Sequence, residues 1–174
     1  MTTERSGTTA FAARKNRCQI TGDPAQSTPA MRIAVLADTH NRYPPGLPAR
    51  LRGADEIWHL GDVCEPDTLA EFELLGVPLR VVLGNCDAHP WPVELGLERE
   101  DVRFYLTHIP PRRAPPGFQV VLHGHTHVPR DEVVHGVRFL NPGCITRPRD
   151  GHPPSFAWLE VASGKVVSWT LVRV

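Results

Sequence analysis

Three features of the sequence predict an α/β fold for residues 31–174. Apolar, β-branched runs alternate with helix-forming stretches, short polar motifs follow those runs, and the C-terminal third reads almost entirely as strand. Arg32 to Ala37 (RIAVLA) opens the pattern as a buried strand that ends at Asp38. Leu47 to Arg52 permits a short helix, and Glu56 to Leu60 (EIWHL) forms a second strand running into Gly61-Asp62. Pro66 to Leu75 carries helix punctuation: a proline at its start, acids in its first turns and Gly76 after its end. Leu79 to Leu83 (LRVVL) is a third strand that stops at Gly84-Asn85, and Val102 to Leu106 (VRFYL) a fourth that stops at Thr107-His108. Gln119 to Leu122 (QVVL) is a fifth, ending before His123. Gly136 to Leu140, Ser155 to Glu160 and Val166 to Val172 complete the strands, with Gly164-Lys165 as a hairpin turn signal. In open α/β sheets functional groups gather outside the carboxyl ends of the strands, so the polar motifs point to one shared site.

Length and composition narrow the function classes. A chain of 174 residues can bury one substantial core, so residues 31–174 are read as a single domain. Residues 1–30 lack apolar periodicity and are rich in Thr, Ser, Ala, Arg and Gln, which predicts a disordered extension. Arg14, Lys15 and Arg17 loosely resemble a transit peptide, but a dispensable extension is the preferred reading, with Met31 a candidate start. The 19 Lys plus Arg balance 19 Asp plus Glu, and with a pI of 7.1 no global field favours nucleic acid. Cys18, Cys64, Cys86 and Cys144 lack CxxC spacing, so neither a zinc knuckle nor a disulfide framework is expected. No apolar stretch approaches the roughly 20 residues that cross a bilayer, and a cytoplasmic location without a membrane partner is expected. The paired prolines (Pro44-Pro45, Pro110-Pro111, Pro115-Pro116, Pro153-Pro154) read as rigid connectors. Trp58, Trp91, Trp158 and Trp169 are read as core or interface residues, which leaves a homo-oligomer open.

The motifs themselves are Asp38-Thr39-His40, Gly61-Asp62, Gly84-Asn85-Cys86-Asp87, Thr107-His108 and Gly124-His125-Thr126-His127. Carboxylate, imidazole and amide oxygen are the donor types that hold a pair of divalent cations. Alternate residues of an extended strand end point to one side, so Asp38 and His40 can converge on one ion. Asp62 is the best candidate for a bridging carboxylate, Asn85 offers a neutral oxygen, and Gly84 lets the backbone approach closely. His59 and His123 interrupt apolar strands and are assigned to the core or to support of the ligands.

The order D-x-H, G-D, G-N-x-D, H, G-H-x-H resembles the calcineurin-like metallophosphoesterase superfamily, and specifically its small YfcE-like branch. Asn141-Pro142-Gly143-Cys144 with Arg147-Pro148-Arg149 resembles that branch too, which usually has N-P-G-S and a nearby Pro-Arg. The resemblance implies two packed mixed β-sheets flanked by helices, a four-layer α-β-β-α sandwich. It also implies one metal held by Asp38, His40, Asp62 and His127 and a second held by Asp62, Asn85, His108 and His125. Of these, Asp62, Asn85 and His125 are read as catalytic as well as ligating. A metal-bridging hydroxide would attack phosphorus in line, with Mn²⁺ the usual ion and Fe, Ni or Zn as alternatives. Cys86, Asp87, Arg147 and Arg149 are expected to contact substrate. Many members of the superfamily carry His where this chain has Cys86, which predicts weak activity on esters with poor leaving groups. Ile109-Pro110 after His108, where many relatives have glycine and histidine, implies a reshaped loop, and Cys144 for serine implies one altered phosphate-facing hydrogen bond. The expected function is hydrolysis of small phosphodiesters. The competing readings are a phosphomonoesterase and an interaction scaffold, the latter because the retromer's metallophosphoesterase-like subunit serves mainly as an interaction surface.

Overall fold

The computed structural model describes residues 1–2 and 29–174, so the expected disorder of residues 1–30 falls almost wholly outside the described residues. Two five-stranded mixed sheets pack face to face. The first has the order β10-β9-β1-β2-β3, built from β1 (Met31–Leu36), β2 (Glu56–His59), β3 (Leu79–Val81), β9 (Ser155–Ala162) and β10 (Lys165–Arg173). The second has the order β4-β5-β6-β8-β7, built from β4 (Glu94–Arg99), β5 (Val102–Thr107), β6 (Val120–Leu122), β7 (Arg130–Val134) and β8 (Val137–Asn141). Strands β1, β2 and β3 run parallel, as do β5, β6 and β8, while β9, β10, β4 and β7 join antiparallel. The carboxyl ends of the parallel triplets carry the polar motifs.

Alternation along each strand divides the core in two. Ile33, Val35 and Trp58 of the first sheet face Phe104, Leu106, Val120, Leu122 and Leu140 of the second. Trp58 meets Phe104 edge-on with ring centroids 5.2 Å apart. The alternate residues Ala34, Leu36, Ile57 and Phe156 face outward, under Leu47 and Leu51 at α1 (Leu47–Arg50) and Phe72 of α2 (Ala70–Glu73). The expected helix from Pro66 to Leu75 is split: Pro66–Leu69 is a 3-10 turn that feeds α2, and Gly76 at φ 73° ends it. Both helices lie on the first sheet. On the outer face of the second, Phe118 from the proline-rich 109–118 segment covers Tyr105, with ring centroids 5.3 Å apart.

Two strands depart from expectation. β4 and β7 were not predicted, because ELGLER and RDEVV are charged, largely exposed sheet edges without a buried run. The hairpin turn also falls one residue earlier than the sequence suggests, with Ser163 and Gly164 both left-handed and Lys165 already in β10.

Because Phe104 is fully buried between the sheets, Phe104→Ala should cost roughly 3–5 kcal/mol of stability. Leu74→Ala, at a residue 85 % exposed, should cost less than about 0.5 kcal/mol. Urea denaturation of the two variants checks the contrast.

Candidate metal centre

The loops after β1 and β2 run side by side, with Asp38 N donating to Gly61 O (3.0 Å) and His40 N to Asp62 O (2.9 Å). Asp38, His40, Asp62, His125 and His127 all adopt positive φ, between 44° and 66°. A left-handed backbone costs a non-glycine residue roughly 1–2 kcal/mol. Strain of this kind concentrated on five candidate donors marks a site whose side-chain directions matter more than local comfort. Two glycines make the loops' approach feasible. A Cβ on Gly61 would lie 2.8 Å from Gly84 N and His108 Nδ1, and one on Gly84 would collide with Asp62 N and Oδ1.

The seven donors come together as two sets. Donor atoms of Asp38, His40, Asp62 and His127 all lie within 4.8 Å of one another. His127 Nε2 is 3.3 Å from Asp38 Oδ1 and 3.5 Å from His40 Nε2. In the second set, Asn85 Oδ1 is 3.0 Å from His108 Nε2 and 2.8 Å from His125 Nδ1. Asp62 Oδ2 belongs to both, 3.7 Å from His40 Nε2 and 3.5 Å from His108 Nε2. Its other oxygen accepts the Cys86 backbone N–H at 2.8 Å, which fixes the carboxylate's orientation.

Backbone carbonyls set the imidazole tautomers. His108 Nδ1 donates to Leu60 O (2.8 Å) and His127 Nδ1 to Arg147 O (2.7 Å), and since a carbonyl only accepts, each Nδ1 carries the proton. Nε2 of each ring is then directed, as a lone pair, at the other donors. This is the arrangement in which outer partners orient a metal-binding histidine.

The electrostatics suit a cation. Asp38 is fully buried, and neither carboxylate oxygen has a hydrogen-bond partner among the described residues. Burial pushes its pKa up to about 7, with Asp62 adding to the rise and His108, the nearby His125 backbone N–H and Arg149 opposing it. Burial alone would also raise Asp62, but the His108 imidazole and the Cys86 N–H more than reverse this and hold it below the usual carboxylate range. Burial lowers His40 and His125. An orphaned buried carboxylate among bare imidazole nitrogens and an amide oxygen fits a divalent metal of borderline hardness.

The remaining expected residues divide. Cys86, Arg147 and Arg149 line the cleft of about 410 Å³ over the donors. Asp87 does not line it: its carboxylate accepts from the backbone N–H groups of Asp62 (3.0 Å), Gly84 (2.7 Å) and Cys64 (2.6 Å), a structural tie between the two loops. Cys144 is likewise turned inward, donating to Asp38 O (3.4 Å) and accepting from Arg147 N (3.1 Å), so it faces no phosphate. His59 is fully buried against Thr39 Oγ1 (3.1 Å), with burial pushing its pKa down to about 3. His123 is held by Gly124 O and Asn141, as a supporting residue. Thr146, which no motif signalled, donates to Asp38 O at 3.0 Å.

The profile of the calcineurin-like phosphoesterase superfamily domain matches residues 31–164. The chain belongs to that superfamily. A probable metallophosphoesterase of Methanothermobacter thermautotrophicus is 33 % identical over 138 residues, covering 68 % of this chain and 80 % of that protein. The phosphodiesterase MJ0936 of Methanocaldococcus jannaschii is 27 % identical over 143 residues, covering 65 % and 83 %. Among solved structures, the Escherichia coli phosphoesterase YfcE superposes with TM-score 0.62 at 23 % identity, over 80 % of this chain and 98 % of its own. Entamoeba histolytica Vps29 complexed with zinc gives 0.66 at 22 %, over 83 % and 98 %. These two structural likenesses speak for the fold. The calcineurin-like phosphoesterase superfamily is metal-dependent, and the Asp–His cluster of this chain supplies a place for metal.

The raised Asp38 pKa has a consequence for stability without metal. Between the unfolded value near 3.8 and the folded value of about 7, the native state binds more protons than the unfolded one, so stability falls as pH rises across that window. Metal-free Asp38→Asn should therefore melt several degrees higher than metal-free wild type at pH 8, with the gap closing toward pH 4. Thermal melts across pH in the presence of a chelator test this, and an added divalent cation should stabilise the wild type more than the variant.

Proposed function

We propose that this protein is a phosphodiesterase that hydrolyses small phosphodiesters with two divalent ions, one at Asp38, His40, Asp62 and His127 and one at Asp62, Asn85, His108 and His125. The observation that carries the reading is the position of Asp62 Oδ2, which faces both donor sets. When bound, the ions supply Lewis-acid stabilisation of the phosphoryl oxygens and an activated water. The mixed oxygen and nitrogen donors support Mn²⁺, with Fe, Ni or Zn as alternatives.

The chain's own residues do the rest. Asp62 fixes the separation of the two sets, and Asn85 contributes a donor without adding negative charge to a site already holding two carboxylates. Arg147 and Arg149 line the cleft, which supports a role in pairing with non-bridging phosphate oxygens. Cys86 stands at the cleft where an imidazole would protonate a departing alkoxide, and burial with nearby Asp62 pushes its thiol up to about 11. A thiol that holds its proton so tightly is a poor acid, so esters with activated leaving groups are favoured. The phosphodiesterase name of the Methanocaldococcus relative supports the diester assignment. One core shared by the two sheets supports residues 31–174 acting as one domain. Among the described residues no helix is long and apolar enough to cross a membrane.

Metal-stripped protein resupplied with Mn²⁺ should cleave bis(p-nitrophenyl) phosphate faster than p-nitrophenyl phosphate. Asp62→Asn should lower that activity by roughly 100-fold or more. Metal binding seen by calorimetry without turnover of either ester would instead favour the interaction-scaffold reading.

A further inference from the structure

The cleft over the metal donors does not end at His40 and Arg147. Those two residues also form one wall of a second depression of about 290 Å³, completed by Arg42, Tyr43, Pro44, Ile145 and Thr146. Its lining is mainly polar, with Ile145 almost wholly buried at its base. The Tyr43 ring is fixed by an edge-on contact with Phe72, centroids 4.9 Å apart. Arg42 and Arg147 stand at the rim, exposed, and neither side chain forms a hydrogen bond or ion pair among the described residues. The walls are also tied to the metal donors: His127 Nδ1 bonds Arg147 O, Thr146 Oγ1 bonds Asp38 O, and Asn41 N bonds Val63 O at 2.9 Å.

Charge decides what such an annex would hold. A simple phosphodiester carries one negative charge, which two divalent ions set against Asp38, Asp62 and a hydroxide would already balance. Arg147 and Arg149 add two more positive charges beside the donors, and Arg42 adds a third farther out. In a chain with no net charge, three guanidinium groups without ion-pair partners among the described residues outnumber the one carboxylate beside this depression, Glu71 at the Tyr43 hydroxyl, and are complementary to a substrate with more than one anionic group.

Resting on the phosphodiesterase reading, we propose that the depression lined by Arg42, Tyr43 and Arg147 is a second-anion subsite, and that the substrates are phosphodiesters in which one esterified group itself bears a phosphate. The scissile diester sits over Asp62 while the second phosphate reaches across His40 to Arg42 and Arg147 in the lining of the depression.

The test compares thymidine 5′-(p-nitrophenyl phosphate) with the same ester carrying a 3′-phosphate, using Mn²⁺-loaded protein. The 3′-phosphate should raise kcat/KM by roughly tenfold or more. In Arg42→Gln the ratio of the two kcat/KM values should fall toward one, whereas in Arg52→Gln, at an exposed arginine beyond α1, it should stay as in wild type. Turnover of both esters with a ratio near one in wild type overturns the subsite while leaving the phosphodiesterase reading in place. Absence of turnover with either ester overturns that reading instead. In that event calorimetry on the metal-free protein decides the subsite: thymidine 3′,5′-bisphosphate binding more tightly than thymidine 5′-phosphate, with the difference lost in Arg42→Gln, upholds it. Equal binding overturns it.

Discussion

Two carboxylates taken out of water within a few ångströms of each other are the constraint around which this molecule is arranged. Asp38 and Asp62 are both buried, and burial disfavours the charge that each must carry to serve as a ligand. Asp62 is rescued by His108 and a backbone amide. Asp38 is helped less: His108 and Arg149 oppose the effect of burial without reversing it, and neither of its oxygens is hydrogen-bonded among the described residues. The left-handed backbones, the two glycines in contact and the carbonyl-anchored imidazoles all serve to bring positive or neutral donors to this pair.

The sandwich architecture makes that possible because the site belongs to neither sheet. Asp38, Asp62 and Asn85 follow strands of the first sheet, whereas His108, His125 and His127 follow strands of the second. Crossing the seam are the bond from His108 Nδ1 to Leu60 O and the contact of the Asp62 carboxylate with the His108 ring. The inter-sheet core of Val35, Trp58, Phe104 and Leu122 lies directly beneath. Apolar packing therefore sets the height of the seam and hence the separation of the donors, so chemistry at the rim depends on side-chain volume in the interior.

Much of this was legible in the sequence because the decisive strands are buried on both faces. RIAVL, EIWH and VVL read as strands without help from tertiary context, and each is followed by its donors. β4 and β7 were illegible for the opposite reason: their residues are mostly exposed, and pairing to a neighbour, not burial, makes them strands. Within the site the donor types were readable and their order was specific. What could not be read was the direction of a side chain at a turn. Asp87 and Cys144 sit in motifs rich in functional residues, yet both turn toward backbone groups. Thr146 lies in no motif at all, and only the fold carries its hydroxyl to Asp38.

The Asp87 carboxylate, which gathers three backbone N–H groups from the Asp62 and Gly84 loops, has a consequence for how the candidate site would take up metal. Because this clasp is made wholly of protein atoms, the relative placement of Asp62 and Asn85 is settled before any cation arrives. A seat built in advance is costly to reshape, so an ion that binds there meets donors already in position and must match their spacing. Loading such a seat asks for no folding step, so the loops that carry Asp62 and Asn85 share one backbone whether the seat is empty or filled.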